Sequence, residues 1–416
     1  MGTPRSASRQ DHVARPAAGE PSRVSLVVVG VAIVLIATNL RPAITALSPL
    51  LPQAQVETGF SAGVIGLLTT VPMVVFAIMS GWVPGIGHRI GLEVAIAASM
   101  VLLVVGFLLR LAPSGFALFG GTVVVSVAIS VGNVLLPTLV KRDHPGRVGL
   151  MTGLYTMGLN IGPALAAGLT IPLQGLTGVG WRGALAWWAV LAGIGLLCWV
   201  PVLRHRTRSA GTAACRSMHA MLREPLAWAV TVYFALLFLV FYTVSAWLPT
   251  ILVDAGLGVA TAGTMLSAIS VVAIPFALLS PILAGRTRSQ VWLSTLGTGL
   301  LLAGFLGVLL APLDGTLLWM VLLGIGQGVT TGVCFVLIVL RSPDAERAAQ
   351  LAAMTQTVGY VLAAGGPWSV GALHDLLDSW TGPLVLLIAL VFVQLSTGLI
   401  AGRDRQVGST TGRAIR

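Results

Sequence analysis

A chain of 416 residues that is 56% apolar and only 9% charged, with a mean hydropathy of +0.95, has too little polar surface to fold as a water-soluble globule. The formal net charge of +11 invites a nucleic-acid partner, but the basic residues gather beside long apolar stretches, where they act as membrane-topology signals. Composition and charge placement together exclude a soluble enzyme and a nucleic-acid binder.

Apolar stretches long enough to cross roughly 30 Å of hydrocarbon as helix recur from end to end. Twelve spans are predicted, over 24–52, 61–83, 92–111, 116–140, 148–172, 183–203, 225–253, 259–283, 290–311, 316–340, 348–373 and 382–401. The remainder is a tail over 1–23, a linker over 204–224 and a tail over 402–416, none of which can fold as a separate catalytic domain. The first tail carries no small-residue cleavage site and reads as retained. Of the 24 Lys and Arg residues, all but Arg41, Arg110 and Arg182 fall in the tails or the even-numbered connections. Lys and Arg stay on the cytoplasmic side during insertion, so both termini are expected there, in a cytoplasmic membrane. Cys198 and Cys334 fall in spans and Cys215 in the linker, a scattered set that implies neither a disulfide framework nor a metal site.

The first span contains the most informative residue. Arg41 sits in apolar sequence, and a charge at membrane depth is costly unless it meets a partner or a wet cavity. No Asp or Glu of the sequence lies at comparable depth, so a bound anion is a natural counter-ion. Pro42 removes a backbone donor and opens the helix there. The alternative is an Arg that snorkels to the outer interface or bonds neighbouring carbonyls.

The two halves repeat. A shift of 200 positions superimposes Pro49 on Pro249, Gly63 on Gly263, Phe76-Ala77-Ile78-Met79-Ser80 on Phe276-Ala277-Leu278-Leu279-Ser280, Gly132 on Gly332, Lys141 on Arg341 and Arg147 on Arg347. The fold class expected is therefore all-α: a twelve-helix membrane protein built as two pseudo-symmetric six-helix bundles, 24–203 and 225–401. Duplicated transporters of this kind bind solute at the repeat interface and alternate access by rocking one half against the other.

Local motifs narrow the family. Asn39-Leu40-Arg41-Pro42-Ala43-Ile44-Thr45 with Ser48-Pro49-Leu50-Leu51-Pro52 resembles the first-helix signature of the cyanate and 2-nitroimidazole transporter family (CynX/NimT) of the major facilitator superfamily. Gly132-Asn133-Val134-Leu135-Leu136-Pro137, Met151-Thr152-Gly153-Leu154-Tyr155, Phe241-Tyr242 before Ala246-Trp247-Leu248-Pro249, and Gln356-Thr357-Val358-Gly359-Tyr360 extend the resemblance across the membrane part. It implies the major facilitator fold and alternating access. Where the wider superfamily carries a latch Asp after the second span, this chain has Gly85, so that latch cannot form. Gly158-Leu159-Asn160-Ile161-Gly162-Pro163 resembles a fifth-helix motif of superfamily antiporters, and its physical content is close packing with a kink.

The candidate substrate-binding residues are Arg41, Asn39, Asn133, Tyr155, Tyr242, Trp247, Gln327, Gln356 and Tyr360. Asn39 and Asn133 either line the cavity or staple helices, since an amide in an apolar helix must find a hydrogen bond. Gln356 and Tyr360 are four apart and share a helix face. Trp247 reads equally as an interface anchor. The candidate gating residues are Arg89, Lys141, Arg142, Asp143, Arg147, Arg341, Glu346 and Arg347, which alternatively only set topology. No His-Glu-x-x-His run and no Gly-x-x-x-x-Gly-Lys loop occurs, so no metal, cofactor or enzymatic chemistry is expected. The expected function is secondary transport of a small anion such as cyanate by a monomer, with the lipid bilayer as its surroundings and no nucleic-acid partner. The alternatives are export of a small neutral or aromatic compound such as a nitroimidazole, and a solute sensor of the same fold.

Overall fold

The computed structural model describes residues 26–47, 50–60, 62–178, 180–204 and 218–408. Its regular elements there are helices: α1 (Leu26–Asn39), α2 (Pro42–Thr45), α3 (Leu51–Thr58), α4 (Ala62–Ser80), α5 (Val83–Ile90), α6 (Leu92–Leu109), α7 (Gly115–Asp143), α8 (Val148–Thr177), α9 (Gly180–Ala186), α10 (Trp188–Arg204), α11 (Pro225–Asp254), α12 (Val259–Gly285), α13 (Val291–Leu310), α14 (Thr316–Leu340), α15 (Ala345–Leu377) and α16 (Thr381–Ala401). The tail 1–23, most of the linker with Cys215, the end of the last tail, and Ser48 and Pro49 of the first motif lie outside the described residues.

Helix ends follow local chemistry. Ser114 accepts from the Ala117 amide ahead of α7, and Asp344 accepts from the Arg347 amide at 2.8 Å ahead of α15, each satisfying an otherwise orphaned donor. Gly59 and Gly178, with φ of 68° and 64°, close α3 and α8 in the left-handed region that other residues avoid.

Each predicted span coincides with a helix or a broken helix. Among the described residues ten helices are long and apolar enough to cross a membrane, and the pair 70–80 and 83–90, bent by 56°, makes an eleventh. The remaining span is α15, 33 residues long, whose Glu346, Arg347, Gln350 and Gln356 dilute its apolar content. The predicted first span ran too far. The helix stops at Asn39, resumes for one turn at Pro42, and Leu51–Thr58 forms a separate helix, because Pro42 supplies no N–H and restricts the residue before it.

The packing reproduces the sequence repeat. In the first half α6 packs on α7 and α10, α1 on α8 and α10, and α4 on α7. In the second half α13 packs on α14 and α16, α11 on α15 and α16, and α12 on α14. The halves meet through α8 against α12 and, as the pseudo-symmetric counterpart, α15 against α4.

The α8–α12 crossing is tight toward the face that holds the ends of α7, α12, α14 and α16, called here the basic face. A Cβ on Gly149 would stand 2.5 Å from the Pro281 carbonyl oxygen, and one on Gly153 would stand 2.6 Å from that of Leu278. Thr156 Oγ1 donates across the same seam to the Ala277 carbonyl at 2.6 Å. Farther along, Gly168 and Gly175 of α8 and Gly263 of α12 would meet nothing within 4 Å. The two helices therefore touch near the basic face and diverge toward the opposite one.

Candidate functional site

The break between α1 and α2 turns Arg41 out of the helix register. Its φ of −121° and ψ of −28° differ from those of a helix interior, while its carbonyl still accepts from the amides of Ile44 and Thr45 at 3.0 and 3.1 Å. The side chain crosses to the second half, where its guanidinium carbon lies 5.0 Å from the Phe241 ring centroid and 5.3 Å from that of Phe238. That distance is within cation–π range. Phe234, Phe238, Phe241 and Tyr242 are spaced by three and four along α11 and so form one face.

Three tyrosines from three helices complete the cluster. Tyr360 of α15 meets Phe238 at 5.3 Å and Phe76 of α4 at 5.1 Å. Tyr155 of α8 stands edge-on to Phe335 of α14 at 5.2 Å and donates to Asn133 Oδ1 of α7 at 3.1 Å. Tyr242 lies 6.2 Å from Phe238. All three hydroxyls lie close enough to Arg41 to feel its charge. Among the described residues the Arg41 guanidinium has no hydrogen-bond acceptor and no carboxylate partner. A planar cation among rings and hydroxyls can hold a small anion by charge and forked N–H donation, or stack a planar neutral solute.

The other candidates divide. Gln356 is fully buried one turn from Tyr360, and among the described residues neither atom of its amide has a partner. An unsatisfied buried amide costs free energy, and a bound solute is one way to meet it. Asn39 is not in the group: its Nδ2 donates to Leu35 at 2.8 Å and to Leu191 of α10 at 3.1 Å, which makes it a staple within the first bundle. Trp247 donates to the Pro367 carbonyl and packs on Trp380, a junction of α11, α15 and α16. Gln327 is buried seven residues before Cys334 on α14, about two turns from the cluster.

By sequence Arg110 is marked only by falling outside the tails and the even-numbered connections; the structure shows it to be a buried fastener. It is 1% exposed, donating through Nη1 to the Ala43 carbonyl of α2 at 2.8 Å and through Nη2 to Thr122 Oγ1 at 3.1 Å. It thereby grips the turn immediately after Arg41. Arg182 donates to Glu57 at 3.0 Å and to the Ala112 carbonyl at 2.9 Å, and Trp181 donates to the other Glu57 oxygen. These bonds hold the Glu57 carboxyl below its ordinary range, Arg182 contributing most. Phe238 was missed as well, although the aromatic spacing of α11 was the signal for it.

On the basic face the gating candidates also divide. Arg142 pairs with Glu93 and Asp143 inside the first bundle. Arg341 is buried and bound to Gln290 and to the carbonyls of Ala401 and Gly402 at 2.8 and 3.0 Å, inside the second. Arg341 is thus a fastener of one bundle. Lys141, at the end of α7, is near enough to Asp344 at the start of α15 to feel its charge, without an ion pair between them among the described residues. Arg147 and Arg286 line a crevice of about 370 Å³ between the α8 turn and the end of α12. Arg89 is exposed, Glu346 accepts from Gln350 at 3.2 Å, and the Arg347 amide caps onto Asp344.

The Major Facilitator Superfamily model matches residues 28–367. The uncharacterized transporter YycB of Bacillus subtilis (strain 168) is 41% identical over 90% of this chain and 93% of its own length. The 2-nitroimidazole transporter of Escherichia coli (strain K12) is 34% identical over 90% and 95%, and the cyanate transport protein CynX of the same organism is 29% identical over 87% and 95%. The solved structure of the proton:xylose symporter XylE bound to 6-bromo-6-deoxy-D-glucose matches with a TM-score of 0.71 at 13% identity, over 92% of this chain and 97% of that one, a likeness of fold alone. This chain belongs to the Major Facilitator Superfamily and, within it, to the cyanate and 2-nitroimidazole transporter family: a multi-pass membrane transporter of small solutes and not an enzyme.

Proposed function

We propose that this transporter carries a small monovalent anion of the size of cyanate, bound at Arg41. The observation that supports this reading is a guanidinium at the seam between the bundles with aromatic rings beside it and no carboxylate partner among the described residues. In this reading Arg41 supplies charge, Tyr155, Tyr242, Tyr360 and Gln356 supply hydrogen bonds, and Asn133 orients Tyr155. The bundles 24–203 and 225–401 rock about this point, with the basic face cytoplasmic. The seam that is tight near the basic face and divergent beyond it corresponds to a state open to the opposite side.

The test is binding and counterflow with purified protein in proteoliposomes. Arg41→Lys keeps the charge but loses the planar fork and retains part of the cyanate affinity. Arg41→Gln loses a buried charge-assisted contact worth roughly 2 to 5 kcal/mol, so affinity falls about 30-fold or more. Cyanate affinity within a factor of two of wild type in Arg41→Gln, with the protein correctly inserted, sinks the reading. A second reading, a neutral planar solute such as a nitroimidazole, is favoured by the ring-lined wall of Phe238, Phe241 and Tyr360. Under it Lys and Gln variants are impaired alike, and affinity does not follow substrate ionisation.

A further inference from the structure

We infer that the transporter works as an anion exchanger, in which a small monovalent anion on one side returns the carrier for an anion on the other. The inference rests on the anion reading of Arg41 and adds its mode of coupling. Every Asp, Glu and His of the sequence lies in a tail, a connection, or the first or last turn of a helix. The most deeply buried of these carboxylates, Glu93, is committed to Arg142 on the basic face. Among the described residues no carboxylate therefore reaches the seam where the solute would sit, either to neutralise Arg41 or to pick up a proton with the substrate.

The groups that face Arg41 are known by element. From α11 come Phe238, Phe241 and Tyr242, from α15 Tyr360, and from α8 Tyr155, with Cys334 of α14 buried behind the tyrosines. Phenols and thiols titrate in water at about 10 and about 8.5, above the working range of a cell. An empty carrier therefore carries a fixed, unpaired positive charge through the closed intermediate, where both water-filled exits are shut. A loaded carrier makes the same passage neutral, because the anion and the guanidinium cancel. The loaded passage has the lower barrier, since an unpaired charge surrounded by hydrocarbon is the costly state. Carriers of that kind cross loaded in both directions and return empty only slowly.

The mode predicts a distinct transport signature. Uptake of labelled cyanate into proteoliposomes preloaded with unlabelled cyanate exceeds uptake into vesicles preloaded with gluconate by at least about 10-fold, the factor of one decade in barrier crossing. One-for-one exchange moves no net charge, so a potassium diffusion potential leaves the exchange rate unchanged. A pH gradient imposed between 6 and 8 also leaves it unchanged, because none of the groups around Arg41 titrates there. Equal uptake into both vesicle types, or cyanate accumulation driven by the pH gradient alone, overturns the inference. If preloading has no effect while Arg41→Gln still abolishes cyanate binding, only the exchange mode fails. If Arg41→Gln leaves binding intact, or cyanate is taken up under neither condition, the anion reading falls and the exchange mode falls with it.

Discussion

The Arg41 guanidinium stacks 5.0 Å from the ring of Phe241, and a shift of 200 positions places these two residues at the same point of the internal repeat. The pseudo-symmetric counterpart of the cation is thus the ring that covers it. The two halves differ there for a physical reason: α1 is interrupted at Pro42, whereas α11 runs unbroken from Pro225 to Asp254. One half supplies a half-buried charge on a broken turn and the other a rigid aromatic wall. Phe241→Leu removes a cation–π contact worth roughly 0.5 to 2 kcal/mol. The expected result is cyanate affinity weaker by about 2- to 30-fold, with Phe241→Tyr close to wild type, measured by equilibrium binding in detergent. Equal affinity in Phe241→Leu would separate the ring from the site.

Arg110 is expected to matter more than a residue at a helix end ordinarily does. Its bond to the Ala43 carbonyl and its second bond to Thr122 fix the turn that carries Arg41, and Arg110→Gln cannot span both. Leaving buried polar groups unpaired costs roughly 1 to 3 kcal/mol. The melting temperature in detergent falls accordingly, and substrate affinity falls with it. Thr122→Val removes only the second bond and shows a smaller loss of both. Full stability in Arg110→Gln would reduce the residue to a bystander.

Much of the fold was legible because its signals are long and repeated. Twelve apolar stretches and a constant offset of 200 specify helix number and two-fold packing before any contact is known, and the crossings of α8 with α12 and α15 with α4 obey them. Arg41 was legible because one charge in an apolar stretch stands out. The neighbours of Arg41 were harder to see, since Phe238 looks like any membrane-helix phenylalanine until the Arg41 side chain is known to reach α11. The role of Arg110 was not legible, because position along the chain marks only a helix end, whereas its burial depends on the α2 turn whose Ala43 carbonyl it binds. Arg341 and Arg142 differ in the opposite sense. Charge in a connection reads as a gate, and only geometry reveals that each is tied down within its own bundle.

The Glu57 pairing carries a defined pH dependence. Arg182, with Trp181 second, lowers the carboxyl pKa in the folded protein. A lowered folded pKa means the contribution is fully present above the unfolded value, about 4.3, and is lost as pH falls through the folded value. Stability at pH 6 to 8 is therefore insensitive to this group, and the difference between wild type and Glu57→Gln narrows below about pH 4. Because Glu57 is half exposed, the contribution at neutral pH stays under about 1 kcal/mol. Thermal unfolding of the two proteins at pH 7 and pH 3.5 measures it, and an unchanged difference would rule the pair out.

Orientation is tested by accessibility. In a background freed of Cys198, Cys215 and Cys334, cysteines placed at Arg286 and Arg405 resist an impermeant thiol reagent added to intact cells, while one at Asp314 reacts. The expectation follows from the gathering of basic residues on one face. The reverse pattern would invert the protein in the membrane.

The seam between α8 and α12 predicts which substitutions move the transporter between its states. A Cβ at Gly153 would stand 2.6 Å from the Leu278 carbonyl, and backbone at that distance yields only if the helices separate. Overpacking of this kind costs roughly 1 to 3 kcal/mol. The cost falls on the state in which α8 and α12 touch near the basic face, so Gly153→Ala shifts the population away from it by about 5- to 160-fold. Gly168→Ala, on the divergent part of the same helix with nothing within 4 Å, is the matched control and shifts nothing. Thr156→Val, which removes the bond to the Ala277 carbonyl, moves the balance in the same direction as Gly153→Ala. The readout is labelling of a cysteine at Ile282 by a reagent confined to the basic side of inside-out vesicles: labelling rises in Gly153→Ala and Thr156→Val and stays low in Gly168→Ala. Equal labelling in all three would mean that the seam is not the part that opens, and that Lys141 and Asp344 on the neighbouring pair of helices are the place to look instead.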